Sequence, residues 1–469
     1  MGAGYLLAQL VLFSARRAPS WDEAIYLSQV APGARALAFA PNRARGISLL
    51  VAPVLQLGGS LTAVRIFLAC ASAIALVTAF WVWIPIVGLA APLAGSLFGF
   101  SWLGPFYGSE VMPNLWAAML AAAVVGLVAR ELATEGRRWD VTVAAVLLGL
   151  MAFFRPPDAL VTAAAVALYV ALQRRGQWRV LVALGGGLAL GWLPWLIEMS
   201  VRHGGPVEAF HQASESSQLA GAGVGNLVLQ QLALTDGPLV GPQVPRLIPV
   251  VGLLWWCGLV LLSAMALVRA RRTASVGALW LATLAGAALA GEYLVFVARL
   301  APRFLLPAYA LLAVPAAWGV VSLVRGGGVA RVAGCVALAL AVVWGGWQVV
   351  TADRIEIDAV RARASVRDAG LPVRELAGGR PCVAASTEAY PQIAYAAGCA
   401  GRWLHGTGEA EIAPLSSLAS AGDRVFIVLA GPPPQGSPLA SLEPRSVSTA
   451  GVRWLIYELP ARGSLTDDD

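Results

Sequence analysis

Residues 2–27 read GAGYLLAQLVLFSA (2–15), RRAPS (16–20) and WDEAIYL (21–27): an apolar stretch, two arginines, then the acidic pair Asp22-Glu23. A carboxylate costs roughly 2.5–3.5 kcal/mol at a bilayer centre, so such a pair must face water or a partner. Trp21 and Tyr26, residue types that suit a membrane–water interface, bracket the acids. This order predicts a first membrane helix that ends at a membrane face. The amphipathic run Ala24–Val30 can then hold the acids at that surface.

The rest of the chain is consistent with that start. Mean hydropathy is +0.72 and 13% of the residues are charged, against about a quarter in a soluble protein. Apolar runs long enough for ~30 Å of hydrocarbon recur, and eleven candidate spans follow, at about 2–15, 61–82, 88–104, 114–130, 141–154, 159–173, 180–199, 247–268, 275–296, 304–323 and 332–350. The expected fold class is an all-α polytopic membrane protein of about 11 transmembrane helices, with a small C-terminal extracytoplasmic α/β domain. The domains are 1–350, with outer loops 16–60, 105–113 and 200–246, and 351–469. Residues 46–58 (GISLLVAPVLQLG) are too short to cross and are expected to lie in the interface or re-enter. The first segment is short for a span, which suggests a truncated first helix. It also lacks the basic start and small-residue cleavage site of a signal peptide.

All 33 basic residues are arginine, and 50 glycines accompany abundant alanine, a composition that fits a GC-rich bacterial genome. The pI near 9.5 does not imply nucleic acid, because topology explains much of the charge. With the N-terminus inside, the inner loops hold Arg130/Arg137/Arg138, Arg174/Arg175/Arg179, Arg269/Arg271/Arg272 and Arg325/Arg331, as the positive-inside rule requires. Crossing at 46–58 would put these clusters outside. The first outer loop breaks the rule with Arg16, Arg17, Arg35, Arg43 and Arg45, so its arginines need another reason. The location expected is a bacterial inner membrane, with the C-terminal domain outside.

The tail after Val350 is more polar. Residues 356–369 read as a helix, 381–386, 423–430 and 452–459 as strands, and 388–397 as a helix between the first two strands. Cys70, Cys257 and Cys335 fall in spans and read as packing residues. Cys382 and Cys399 fall in the outer tail, where a disulfide persists; the alternative is two buried thiols.

Four constellations carry candidate chemistry. The first is Asp22/Glu23, which abuts a helix rather than sitting mid-loop; the bland reading is a solvated pair. The second is Gly108-Ser109-Glu110-Val111-Met112-Pro113-Asn114, where Glu110 is the sole acid between Glu23 and Glu131. Here Pro113, Asn114 and Glu110 also suit a helix N-terminus. The third is Arg299 and Arg303 in Arg299-Leu300-Ala301-Pro302-Arg303-Phe304-Leu305-Leu306-Pro307. These outer arginines suit a phosphate, which guanidinium binds bidentately, or snorkel to lipid headgroups. The fourth is the loop 200–246, with His203, Glu208, His211, Glu215, Asp236 and Arg246; His211 is a candidate base or acceptor ligand, or merely solvated. Arg43, Arg45, Arg155-Pro156-Pro157-Asp158 and Glu292 are weaker support, and Glu292 needs a partner such as Arg299 or Arg303.

With these residues in place, the chain resembles the C-type membrane glycosyltransferases, in particular the protein O-mannosyltransferase and aminoarabinose transferase clan (glycosyltransferase family 39-like). Asp22-Glu23 is similar to the clan's acidic motif on the first outer loop, and residues 41–58 to its interfacial helix. Gly108-Ser109-Glu110 is similar to the second acidic site, and Arg303-Phe304-Leu305-Leu306-Pro307 to the late Arg-aromatic-Leu-x-Pro signature. The clan's Lys or Arg-Pro after span five appears as Arg155-Pro156. Its His-Pro-Pro before the interfacial helix is replaced by Pro41-Asn42-Arg43-Ala44-Arg45-Gly46.

The resemblance implies a polyprenyl-phosphate sugar donor, membrane lipid, a glycan, lipid or protein acceptor, and direct displacement with inversion. On that basis Asp22 is the first choice of base and Glu23 the second. Glu110 would orient the acceptor or, with Asp22, help hold a divalent cation. Arg303, Arg299 and Arg45 would neutralise the donor phosphate, with His211 and Tyr26 as acceptor-side candidates. No glycine-rich phosphate loop stands in a strand–helix context. The rival classes are a transporter or flippase of a lipid-linked sugar and a non-catalytic membrane scaffold.

Overall fold

The computed structural model describes residues 1–134, 138–173, 177–217, 250–297 and 301–460. Among the described residues, seven helices are long and apolar enough to cross a membrane: Leu61–Trp81, Asn114–Ala133, Trp178–Arg202, Leu254–Arg272, Val276–Phe296, Pro302–Val324 and the apolar part of Val329–Ala377. The expected segments 2–15, 88–104, 141–154 and 159–173 fall instead on shorter apolar helices, Gly2–Leu12, Ala90–Gly99, Trp139–Phe154 and Pro156–Leu172. The membrane-type helical fold is present, and seven of the eleven expected spans have full crossing length. Residues 46–58 contain the apolar helix Gly46–Gln56, which is only 11 residues long.

The chain divides into two compact units. The first contains Met1–Phe13, Ala40–Ile47 and Arg65–Ile355. At its centre Leu306–Val324 packs on Val250–Arg269, Val276–Phe296, Ala90–Gly99 and Asn114–Thr134, and Leu305, Leu306, Leu311 and Val314 are fully buried. Lipid tails are as apolar as leucine, so close packing must hold such helices together. Small residues allow it between Arg138–Phe154 and Trp178–Arg202: a Cβ at Gly187 would overlap the Ala145 carbonyl, and one at Gly191 the Gly149 carbonyl. Hydrogen bonds between helices satisfy some of the buried polar groups. Tyr5 donates to the Gly104 carbonyl at 2.7 Å, and Gln9 donates to the Ala69 carbonyl and to Ser72, each at 3.2 Å. Cys70, Cys257 and Cys335 are exposed on their helices, so the expectation that they are packing residues is corrected.

The second unit contains Ser14–Phe39, Ser48–Val64 and Glu356–Asp469. Five strands form one sheet in the order β2-β1-β3-β5-β4: β1 (Cys382–Ser386), β2 (Ala400–Trp403), β3 (Arg424–Leu429), β4 (Arg445–Thr449) and β5 (Val452–Glu458). β1 lies parallel to β2 and β3, and β5 is antiparallel to both β3 and β4. Its core joins Val383, Ala385, Val425, Ile427 and Tyr457 to Ile412 and Leu415 of the helix Glu409–Ser420. Cys382 and Cys399 are joined by a disulfide. The expected break between the last span and a tail helix is absent, because Val329–Ala377 is one helix of 49 residues. No glycine or proline falls between Thr351 and Ala369, so the change in polarity alters the surroundings of the helix but gives the backbone no reason to stop.

Candidate active site

In the second unit, Ser20 starts the helix Trp21–Ser28 with a capping box. The Glu23 amide donates to Ser20 Oγ at 3.4 Å, and the Ser20 amide donates to Glu23 Oε2 at 2.9 Å. The two acids then have different fates. Glu23 is fully buried, and its Oε2 accepts from Arg363 Nη1 at 3.3 Å. Asp22, one position earlier, is only partly buried, and lies in the first turn, where the helix dipole favours an anion. Nearby, Trp21 packs edge-on against Tyr390 and Trp403 at 5.3 and 5.2 Å. Tyr26 is 4% exposed, packed against Phe39 at 5.8 Å, which puts its ring in the interior of this unit. Burial pushes the Tyr395 hydroxyl above its ordinary value, and the Glu23 charge adds to the effect.

In the first unit, Glu110 lies between the short helix Leu103–Gly108 and the helix Asn114–Thr134, and is 1% exposed. Arg65 is equally buried and donates from Nη1 to the Ser109 carbonyl at 2.9 Å, so a cation is held at this loop. Arg45 donates from Nε to both Glu198 oxygens at 3.1 Å, with Arg202 at 3.8 Å from the same carboxylate. A phosphate at Arg45 would therefore share it with Glu198. Trp195 Nε1 donates to the Pro41 carbonyl at 3.0 Å, which anchors the same loop.

A further cluster gathers residues from three segments of this unit. Arg155 precedes the helix Pro156–Leu172; Asp158 lies in its first turn, fully buried. Arg155 Nε donates to Asp158 Oδ1 at 3.3 Å. Tyr293 from Val276–Phe296 donates its hydroxyl to the same oxygen and accepts from Arg155 Nη2. Tyr293 also stacks on Phe304 at 5.1 Å and 14°. Phe304 belongs to the 3-10 turn Pro302–Leu305, which also carries Arg303. The guanidinium carbons of Arg155 and Arg303 lie 5.6 and 5.2 Å from the centre of the Phe304 ring, within cation–π range. The Arg-Pro after the fifth expected span and the late Arg-aromatic motif thus converge on one aromatic ring.

Glu292 lies within electrostatic reach of Asp158 and Arg155; Arg299, one of its two expected partners, lies outside the described residues. Asp158 Oδ2 and Glu292 Oε2 are buried without a hydrogen-bond partner among the described residues. His211 is exposed on the helix Pro206–Ser217, and Glu208 on the same helix accepts from Gln212 at 3.1 Å. Arg299, Asp236 and Arg246 lie outside the described residues. Among the described residues no three His, Cys, Asp or Glu side chains gather as a metal site would require. Sequence reasoning missed Tyr293 and Arg363. Neither stands in a motif, and their contacts are with residues far along the chain.

The chain matches no protein-family model and no curated protein sequence. Solved structures do match. ArnT from Cupriavidus metallidurans bound to undecaprenyl phosphate superposes with a TM-score of 0.69 at 14% identity, over 98% of this chain and 97% of that one. ArnT in the apo state gives a TM-score of 0.68 at 14% identity over the same shares. The oligosaccharyltransferase of Archaeoglobus fulgidus, in complex with zinc and sulfate, gives 0.53 at 12% identity, over 92% of this chain and 67% of that one. The chain shares the fold of ArnT over nearly its full length, the kind of membrane fold that the resemblance in sequence implied.

Proposed function

We propose that this protein transfers a sugar from a polyprenyl-phosphate donor to a hydroxyl acceptor at the outer face of a bacterial cytoplasmic membrane, with inversion. The observation that carries the reading is the pair of guanidinium groups, Arg155 and Arg303, set on one aromatic ring in a fold whose solved example holds undecaprenyl phosphate. Two cations beside an aromatic face suit the donor's phosphodiester and the second charge it gains on leaving as polyprenyl phosphate, with the lipid tail in hydrocarbon.

The chemistry asks little of a general acid. The bond from the anomeric carbon to the phosphate oxygen breaks while the acceptor oxygen bonds to that carbon from the opposite side, and the electron pair leaves with the phosphate. Arg303 and Arg155, with Arg299 and Arg45 in support, neutralise the charge that grows on the phosphate. Asp22 takes the acceptor proton. Its partial exposure suits that task better than the buried, ion-paired Glu23. Glu110 orients the acceptor. The arginine-rich inner loops support an N-terminus inside and a sheet-bearing unit outside.

The test is release of polyprenyl phosphate from a panel of synthetic polyprenyl-phosphate hexoses and pentoses by the purified protein. Arg303→Ala is expected to raise KM for the donor at least ten-fold. Unchanged KM removes Arg303 from the phosphate site, and no release with any sugar and acceptor tried counts against transfer.

A further inference from the structure

Asp22 belongs to a short helix, and a helix of eight residues does not hold its own position; something in the second unit must fix it. The segment Ser14–Phe39 carries Arg17 and Glu23, and the long helix carries Glu356 and Arg363, all within this unit. Arg17 is fully buried as a side chain and Glu356 is 10% exposed, and the two are joined as an ion pair. The other Glu356 oxygen accepts the Ser14 amide at 2.8 Å. Glu23 is fully buried and Arg363 is 10% exposed, joined at 3.3 Å.

Glu356 and Arg363 are seven positions apart on one helix, close to two full turns, so they share a face. The two pairs run in opposite sense. The first puts the cation on the N-terminal segment and the second puts it on the helix. A slide of one segment along the other would bring Arg17 toward Arg363 or Glu23 toward Glu356. Each such meeting buries like charges, which is strongly unfavourable at low dielectric. Fixing register is the best-attested use of buried ionic groups.

We infer that Arg17–Glu356 and Glu23–Arg363 form a two-pair register lock that sets the position of Asp22, which makes these four residues positioning residues for the base. The function assigned to the lock rests on the proposed role of Asp22; the lock itself rests on the ion pairs alone. Glu23 thereby leaves the list of reacting groups. Its carboxylate caps its own helix and binds Arg363.

The experiment uses the full-length protein in lipid nanodiscs and two readouts. Hydrogen exchange of the amides of Trp21–Ser28 reports the lock without any substrate. Release of polyprenyl phosphate from a synthetic polyprenyl-phosphate sugar reports kcat and KM. Arg363→Met strands the buried Glu23 carboxylate, and exchange over residues 21–28 is expected to rise at least ten-fold. Misplacing the base by an ångström costs on the order of 100-fold, so kcat should fall by about that factor, with KM for the donor unchanged. Glu23→Gln combined with Arg363→Met removes both charges and keeps an oxygen for the cap, so most of the protection and at least ten-fold in kcat should return. At the other pair, Arg17→Met should likewise lose protection, and Arg17→Met combined with Glu356→Gln should likewise regain most of it. Arg367→Ala, at an exposed pair with Asp368, should change neither readout, and Asp22→Asn should stop turnover without changing exchange.

Double variants no better protected than the single ones overturn the lock, as does an Arg363→Met variant with wild-type exchange. Rescue of protection in a protein that releases no polyprenyl phosphate leaves the lock standing and refutes the sugar-transfer reading instead.

Discussion

Asp22 and Glu23 are neighbours in sequence with opposite surroundings. Their importance is legible from sequence, because two acids beside an apolar run demand water or a partner. Which of them remains accessible is not, because the answer depends on Arg363, 340 positions away. The same holds for Arg155. Its Arg-Pro motif is visible in the chain, but the Tyr293 and Phe304 rings beside it are brought there by folding. Asp158 holds that cluster together, accepting from Arg155 and Tyr293 on one oxygen. Asp158→Ala leaves a half-buried guanidinium without its carboxylate, and removal of one partner from a buried pair costs about 3–5 kcal/mol. Thermal unfolding of the purified protein should show that loss. Asp158→Asn combined with Arg155→Met should be milder, because neither charge is then left alone.

Secondary-structure elements were legible where the sequence pattern was strong. β1, β3 and β5 are apolar runs, and their expected positions match the observed strands to within one residue at each end. β2 and β4 were not expected. β2 is four residues, AGRW, half of them exposed, and β4 is the polar, mostly exposed edge strand RSVST. Neither carries alternation long enough to read, and pairing with a neighbour supplies what their sequences lack. The Cys382–Cys399 disulfide ties β1 to the start of β2 across a sequence separation of 17. A loop of that size is stabilised by about 3 kcal/mol, so Cys382→Ser with Cys399→Ser should lower the unfolding temperature of this unit, measured against the wild type under oxidising conditions.

Alkaline pH provides a second measurement on this unit. Burial, aided by the Glu23 charge, holds the Tyr395 hydroxyl above the ordinary phenol value of 10.0. The folded protein keeps that proton when the unfolded chain has lost it. The stabilisation is therefore complete below pH 10 and declines as pH rises through the folded-state value. Tyr395→Phe should flatten the decline above pH 10 in thermal unfolding.

At the scale of the whole molecule, composition and run length revealed a polytopic membrane protein. The number of crossings was harder to read, because helices such as Arg138–Phe154 and Pro156–Leu172, each of 17 residues, sit at the lower edge of the length a bilayer requires. The likeness in fold covers 98% of this chain at 14% identity. Orientation has its own test. An enzyme reporter active only outside the cytoplasm, fused after Asp469, should be active, and the same reporter inserted between Ala270 and Thr273 should be silent; the reverse pattern inverts the proposed topology.

The most direct test of the central claim is turnover of a synthetic polyprenyl-phosphate sugar by purified wild-type protein and by Asp22→Asn. The account predicts acceptor-dependent release of polyprenyl phosphate by the wild type and a loss of at least 100-fold in the variant, the order of magnitude for removing a general base. Release by Asp22→Asn at the wild-type rate would contradict it.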